Sequence, residues 1–333
     1  MRGRYRQKFN VLALVFTVIF TNFSACASSE TGKITKSDFV LNTVATITLY
    51  DVSDEKLIDE CFELCRRYES LFSRTDENSE IYKLNHREIS SVSAETAQLI
   101  SEGLYYSNLS DGAFDITIEP LSSLWNFSSD SLSVPSAADI EAACKKIDYS
   151  AVTVSGSTVT FSNKYTAIDL GAIAKGWIAD RVKELLLSRG VKRAIINLGG
   201  NVLCIGGKTA TEGFKIGVQY PFKEGSIASV TVSDLSVVTS GIYERDFEQD
   251  GKLYHHILNP KTGYPYDNGL LSVTIIGKDS GICDALSTTC FALGRDAGTA
   301  LIEGMNGYYA IFITSDYRLW YTSGAESALN IET

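Results

Sequence analysis

Two adjacent histidines, His255 and His256, stand in a chain that contains only one other, His86. Such a pair could bind a metal ion, supply one general base or fill space in a core. If the surrounding segment "KLYHHIL" is a strand, neighbouring side chains point to opposite faces of the sheet. We therefore expect at most one of the two to act at a given site, which disfavours a shared metal ion.

A second candidate group lies in "DALST", where Asp284 and Thr288 are four residues apart on a predicted helix and so share one face. Two hard oxygen ligands, completed by a backbone carbonyl and phosphate oxygens, would suit Mg²⁺. The alternative is a surface aspartate with a threonine in the helix interior. The apolar stripe is predicted on a different face and comprises Ile282, Ala285, Leu286, Thr289 and Leu293.

A third group surrounds a predicted turn between a strand and a helix. Asp169 ends the strand, Gly171 follows in the turn, and Lys175 falls in the first turn of the helix. A helix start with a nearby lysine can cradle phosphate. The segment matches neither the Walker loop nor the dinucleotide fingerprint, so an ordinary glycine turn is the alternative.

These residues need elements to hold them, and the pattern alternates hairpins with helices. Two segments, 166–190 and 271–294, each read as a strand followed by a helix, ending at Gly190 and Gly294. Without a regular βαβαβ rhythm, the order favours an α+β layered fold. The other predicted elements are a strand at 40–51, helices Asp54 to Leu71 and Ser93 to Asn108, and hairpins at 150–162 and 247–258.

The N-terminus predicts export. Four basic residues precede a short apolar run, as in a signal peptide covering residues 1–25. The following "FSACASSE" resembles a lipobox, which predicts lipidation at Cys26; cleavage after Ala27 is the alternative. We expect residues 26–37 to form a polar tether, residues 38–333 to form one domain, and the protein to be lipid-anchored on the extracytoplasmic side of the cell membrane.

Charge and cysteine content narrow the function classes. Removing residues 1–25 takes away four basic and no acidic residues, so the net charge would fall from −10 to about −14. Such a chain is not expected to bind nucleic acid by charge. The cysteines form no disulfide or zinc pattern, and Cys61 and Cys65 are predicted to be core residues of an amphipathic helix.

Several stretches together resemble the ApbE family of FAD:protein FMN transferases. They occur in the family's order and cover nearly the whole exported chain. They are "DGAFDITIEPL" (111–121), "AIDLGAIAKGWIAD" (167–180), "NLGGN" (197–201), "TSGIYER" (239–245), "YHHILNPKTGYP" (254–265) and "DALSTTCFALG" (284–294).

The resemblance implies a site residue by residue. Asp169 and Lys175 would contact FAD, and the carbonyl of Ala172 would bind Mg²⁺ together with Asp284 and Thr288. The second histidine of the pair is the one typical of the family, which assigns catalysis to His256. Leu41 stands where the family commonly has Met, and Thr75 rests on a looser match. The remaining FAD contacts implied are Leu41, Thr75, Ala113, Phe114, Asp115 and Ile257.

The implied activity is Mg²⁺-dependent transfer of FMN from FAD to a Thr or Ser hydroxyl of an acceptor flavoprotein, with release of AMP. The implied fold is a single α+β domain of layered sheet and helices, similar to the T-fold. Acceptors would be envelope flavoproteins resembling subunits of Rnf-type or sodium-pumping (Nqr-like) complexes. Two alternatives stay open at this point: a Mg²⁺-dependent FAD pyrophosphatase and a lipoprotein that binds FAD without chemistry.

Overall fold

Residues 33–129 and 131–333 are described by the structure, a computed structural model. The predicted signal peptide and Cys26 lie outside the described residues. Within the described ranges, no helix is both long and apolar enough to cross a bilayer.

An eight-stranded antiparallel sheet organises the α+β fold, as expected from the sequence. Its strands, in spatial order, are β1 (Ile34–Val40), β2 (Thr43–Leu49), β5 (Ala194–Leu198), β6 (Asn201–Ile205), β9 (Ser236–Gly241), β12 (Leu270–Gly277), β13 (Tyr309–Thr314) and β14 (Leu319–Tyr321). The described residues also form the hairpins β3 (Val152–Ser155) with β4 (Thr158–Phe161), β7 (Phe214–Gln219) with β8 (Ser226–Val232), and β10 (Asp246–Gln249) with β11 (Lys252–His255).

Helices pack around this sheet. They are α1 (Glu55–Phe72), α2 (Glu80–Asn85), α3 (Ala94–Leu109), α4 (Glu119–Trp125), α5 (Ala137–Cys144), α6 (Ala174–Ser188), α7 (Ser280–Leu293), α8 (Arg295–Glu303) and α9 (Ala325–Leu329), with one 3₁₀ turn at Tyr149–Ala151. Helix α7 contacts β9 and β12 of the sheet and also the helices α6, α8 and α3, and α6 in turn contacts β5, β6 and α1.

Local signals predicted several elements correctly. The Asp54 carboxylate caps α1 by accepting the Lys56 N–H at 3.0 Å. The Ser93 hydroxyl caps α3 by accepting the Thr96 N–H at 3.2 Å. Both capping side chains are of types favoured at helix N-termini. Cys61 and Cys65 are fully buried in the core, as predicted, and burial raises the pKa of both thiols to about 12.

Three sequence expectations differ from the structure, the first concerning the segment before α6. Residues 166–170 do not form the predicted strand: Ala167 makes one isolated bridge with Ile118, and the Asp169 N–H donates to the Ile116 carbonyl at 2.8 Å. The segment pairs only with residues 116–118 and not with a strand of a sheet, so these contacts do not extend into a regular ladder of hydrogen bonds. The second strand–helix unit, β12 followed by α7, is confirmed.

The second difference is the exposure of α7. Instead of one apolar stripe, α7 is buried on nearly every face, including Asp284 and Ser287, whereas Ile282 and Leu293 are only half-buried. The helix packs on β9 and β12 and is covered by α6, α8 and α3, so its polar residues are buried as well. Periodicity along one helix does not report such a second covering layer.

The third difference is the start of the folded domain. Strand β1 begins at Ile34, inside the segment 26–37 assigned to a polar tether. Its polar residues pair across to β2: the hydroxyls of Thr35 and Thr48 lie 3.0 Å apart, and those of Ser37 and Thr46 2.8 Å apart. These cross-strand pairs stabilise a strand whose polar residues, in the sequence alone, resemble those of a linker.

Candidate active site

A cavity of about 910 Å³ lies between α6, α7 and the loops next to the sheet. Its size is in the range of small-molecule and cofactor pockets. Every residue assigned from the sequence lines it: Leu41, Thr75, Ala113, Phe114, Asp115, Asp169, Ala172, Lys175, His256, Ile257, Asp284 and Thr288. The structure therefore brings all of them to one place, while the ligand that each would contact stays a prediction.

The wall at the start of α6 is the predicted phosphate cradle. Asp169 holds the turn because its Oδ1 accepts the Gly171 N–H at 2.9 Å. Helix α6 begins after Ile173, an N-cap residue whose own side chain cannot cap the helix. Lys175 follows in the first turn, and its Nζ lies 3.5 Å from the Gly171 carbonyl oxygen. The N-terminus of a helix beside a lysine contributes positive potential to this wall.

The adjoining wall carries Asp284. This side chain is 5 % exposed, and its Oδ2 accepts the Gly176 N–H at 2.8 Å. Its other oxygen has no hydrogen bond among the described residues. Burial raises the pKa of Asp284, and the charge of Lys175 opposes that effect. The Thr288 hydroxyl lies 2.9 Å from the Ser240 hydroxyl.

These donors suit a hard divalent cation. No cluster of three or more His, Cys, Asp or Glu residues that could hold a metal occurs in the described part of the chain. Asp284, Thr288 and the Ala172 carbonyl offer oxygen only, and Asp284 is the only carboxylate among these three ligands. A cation with so few protein ligands would need oxygens from the substrate or water, as Mg²⁺ commonly does.

The two histidines occupy different environments, as strand alternation predicted, although β11 ends at His255. His256 lines the cavity; its backbone N–H donates to the Arg245 carbonyl at 3.1 Å, and its Nδ1 lies 3.3 Å from the same oxygen. A proton on Nδ1 therefore leaves Nε2 as an acceptor. Burial and the charges of Arg245 and Lys175 lower the pKa of His256, so the ring is neutral near pH 7.

His255 faces the core instead. It is 5 % exposed, and its Nε2 lies 2.9 Å from the Tyr266 carbonyl oxygen. The backbone N–H of Ile257 donates to its Nδ1 at 3.3 Å. One ring nitrogen donates and the other accepts, so the hydrogen bonds fit a neutral ring. Burial lowers the pKa of His255 to about 4.

The "AFD" segment forms part of the remaining wall. Asp115 is buried, and its Oδ1 accepts both the N–H and the hydroxyl of Thr117 at 2.7 Å. Burial raises the pKa of Asp115 to about 6. The Ala113 carbonyl accepts the Tyr266 hydroxyl at 2.9 Å, and the Phe114 ring is buried. The segment is therefore held from several sides.

Leu41 reaches the cavity through a two-residue turn between β1 and β2. Leu41 and Asn42 both have a φ of 56°. Two positive φ values in succession define the type I′ turn that suits a tight hairpin. Asn tolerates this conformation well, whereas Leu rarely adopts it. The turn sets Leu41 at the cavity edge.

Some charged residues that line the cavity were not identified from the sequence, Arg74 and Glu244 among them. Arg74 follows α1, and its Nε lies 3.1 Å from Asp169 Oδ2 while its Nη1 donates to Ser123 Oγ at 2.9 Å. Nothing distinguishes it in sequence from any loop arginine.

Glu244 lies in "TSGIYER", a stretch already matched to the family, which was the available signal. Water reaches its side chain through the cavity, but surrounding protein and Asp284 raise its pKa to about 7 despite the opposing charge of Lys175.

Known proteins resemble this chain in sequence and in fold. The family model described as "ApbE family" matches residues 41–312. An FAD:protein FMN transferase of Klebsiella pneumoniae is 42 % identical over 270 residues, covering 79 % of this chain and 84 % of the relative. One from Treponema pallidum is 30 % identical over 335 residues, covering 93 % and 92 %.

Solved structures agree. The ApbE protein of Thermotoga maritima superposes with a TM-score of 0.82 at 34 % identity, covering 89 % of this chain and 98 % of that one. The flavin transferase ApbE of Vibrio cholerae gives a TM-score of 0.79 at 26 % identity, covering 89 % and 98 %. Sequence, fold and cavity residues converge, and the chain belongs to the ApbE family.

Proposed function

We propose that this protein is an FAD:protein FMN transferase that depends on Mg²⁺. It would move FMN from FAD to a Thr or Ser hydroxyl of an acceptor protein and release AMP. Its relatives in Klebsiella pneumoniae and Treponema pallidum carry the name of this activity. The observation that carries the proposal is that Lys175, Asp284 and His256 line one cavity.

The diphosphate of FAD would bind in the cavity beside the start of α6, next to Asp284 and Thr288 of α7. The protein as a whole is acidic, with a net charge of −10, so attraction of a phosphate must be local. Lys175 and the N-terminus of α6 supply positive potential on one side. Asp284, Thr288 and the Ala172 carbonyl would hold Mg²⁺, which when bound neutralises phosphate charge and polarises the diphosphate.

The transfer exchanges one phosphorus–oxygen bond for another. The acceptor oxygen forms a bond to the phosphorus of the FMN half, and the bond from that phosphorus to the bridging oxygen breaks. The bridging oxygen and its electron pair leave with AMP. The proton of the acceptor hydroxyl goes to His256, so atoms and charge balance. The product is a flavin joined to protein by a phosphoester.

His256 is suited to accept that proton. Its neutral ring needs no prior deprotonation, and the Arg245 carbonyl orients the ring through Nδ1 at 3.3 Å. Nε2 is then the basic atom toward the cavity. A lowered pKa makes the base weaker but keeps it available, and the proton can pass on to solvent after transfer.

The acceptor is proposed to be an extracytoplasmic flavoprotein of an Rnf-like or Nqr-like electron-transfer system. The support is the predicted export signal and lipid anchor at Cys26 in the sequence. A lipid anchor would keep the enzyme beside membrane-bound acceptors.

Intact-mass spectrometry of an acceptor domain tests the proposal. The domain is incubated with the protein, FAD and MgCl₂, and the expected result is a mass gain equal to FMN less water. Chelation with EDTA should abolish the gain. AMP release without any gain on the acceptor would refute transfer in favour of hydrolysis, and FAD binding without AMP release would show a binding protein.

A further inference from the structure

Helices α6 and α7 cap each other beside the cavity. Asp284 of α7 accepts the Gly176 N–H in the first turn of α6 at 2.8 Å. In the opposite direction, Asp180 of α6 accepts the N–H groups of Ser280 and Gly281 at 3.0 and 2.9 Å. These are the first two residues of α7. Each helix thus satisfies backbone donors that the other leaves without an intrahelical partner.

Helix α7 has no side-chain cap of its own. Its N-cap residue, Asp279, makes no capping hydrogen bond. The Asp279 carboxylate instead accepts the Tyr308 hydroxyl at 2.7 Å. Asp180 therefore does from a neighbouring helix what an N-cap residue usually does locally.

The two helices meet almost backbone to backbone. A Cβ added to Gly176 would overlap the Ser280 carbonyl oxygen and lie 2.7 Å from Asp284 Cβ. A Cβ added to Gly281 would lie 3.3 Å from the backbone of Trp177. With so little space between them, a shift of α7 along α6 would strain both carboxylate contacts together.

We propose that Asp180 is a positioning residue for the cation site, acting through the placement of α7. This rests on the proposed function, which assigns Mg²⁺ to residues of both helices. Asp284 and Thr288 move with α7, whereas Ala172 and Lys175 are tied to the start of α6. Asp180 therefore holds Asp284 and Thr288 in position relative to Ala172 and Lys175. It does not line the cavity, so it would not touch FAD or the cation.

Asp180→Asn tests this by isothermal titration of FAD at a series of MgCl₂ concentrations. The amide keeps one acceptor oxygen but cannot accept both N–H groups equally. We expect the MgCl₂ concentration for half-maximal FAD binding to rise about tenfold, the lower range for outer-shell residues of metal sites. Saturating MgCl₂ should restore FAD binding. Asp180→Ala should show a larger shift in the same direction.

Thermal unfolding in EDTA measures the structural effect separately. The matched control is Asp54→Ala, which removes the N-cap of α1 at the end of that helix remote from the cavity. This control variant should have a lower Tm, but its MgCl₂ concentration for half-maximal FAD binding should equal that of the wild type. An Asp180→Asn variant with lower Tm and an unchanged MgCl₂ requirement would overturn the proposal and leave Asp180 a stability residue.

This test does not depend on transfer. If the wild type binds FAD with Mg²⁺ but modifies no acceptor, the proposed transferase activity fails while the positioning role of Asp180 is still measured. If Asp180→Asn matches the wild type in Mg²⁺ dependence and the wild type transfers FMN, only the positioning role fails.

Discussion

His256 and His255 are the same residue type, but their surroundings differ. His256 borders the cavity with one nitrogen directed to the Arg245 carbonyl, whereas both nitrogens of His255 are used within the core. A base needs a free lone pair near the reacting atom, and only His256 has one at the cavity. Whether a histidine can act as a base therefore depends on its own hydrogen bonds, which differ even between these two adjacent residues.

His256→Ala should abolish transfer while FAD binding persists. A general base typically contributes about 10²–10⁴-fold to rate, so a loss in that range is expected. FAD affinity by titration and acceptor mass gain per unit time are the two measurements. A variant that transfers at the wild-type rate would remove His256 from the mechanism.

His255 should make stability depend on pH. Its pKa is about 4 in the folded protein against 6.5 for the unperturbed group, so the unfolded chain binds more protons between these values. The contribution of His255 to the free energy of unfolding should be fully present above about pH 6.5. As the pH falls toward 4, the free energy of unfolding should decrease by up to about 3 kcal/mol. His255→Gln keeps a donor for Tyr266 but cannot titrate, so urea unfolding should show a smaller loss over this window.

Glu244 should weaken FAD binding when it is ionised and no Mg²⁺ is present. Its pKa of about 7 means that it loses its charge as pH falls from 8 to 6. In EDTA, FAD should then bind roughly threefold to tenfold tighter at pH 6 than at pH 8, because one carboxylate no longer repels the diphosphate. Glu244→Gln should flatten this dependence, whereas Glu224→Gln, away from the cavity, should retain it. An unchanged pH dependence in Glu244→Gln would show that Glu244 does not face the diphosphate.

At the scale of elements, the contact between α6 and α7 decides the site. Sequence patterns predicted both helices, their ends and the residues they carry. Their close approach depends on Gly176 and on a crossing that neither helix encodes alone. The same enclosure explains why α7 is buried on nearly all sides and why its stripe was assigned incorrectly.

Gly176→Ala should destabilise the protein by about 2 kcal/mol or more, because an added methyl group meets the backbone of α7 and cannot be relieved by a side-chain rotation. The control is Gly304→Ala, where the nearest atom to an added Cβ is the Leu301 carbonyl oxygen at 3.4 Å. That change should be neutral or slightly stabilising. Equal unfolding free energies for the two variants would contradict the tight crossing.

At the scale of the whole molecule, an acidic chain combines a cavity that we propose binds a diphosphate with a membrane anchor predicted at Cys26. Cys26→Ser should release the protein from the membrane fraction if Cys26 carries the lipid. The measurements are cell fractionation and the mass of the N-terminal peptide. If the mature chain begins after Ala27 in both proteins, ordinary cleavage is correct and the anchor does not exist.

Residue types and their spacing were enough to predict the candidate site residues and much of their local structure. Caps at Asp54 and Ser93, the hairpins and the end of α6 follow from neighbours within a few positions, so composition and spacing predict them. Resemblance to the family then assigned twelve cavity residues. It did not identify Arg74, because a loop arginine shows no pattern until Asp169 is beside it.

Tertiary structure decided the rest. It brought residues as distant as Leu41 and Asp284 to one cavity, turned the polar face of α7 inward, and put β1 where a linker was expected. These outcomes depend on contacts between segments far apart in the chain, whose energies no single segment contains. Periodicity reports one element and its immediate surroundings, and only packing determines which elements meet.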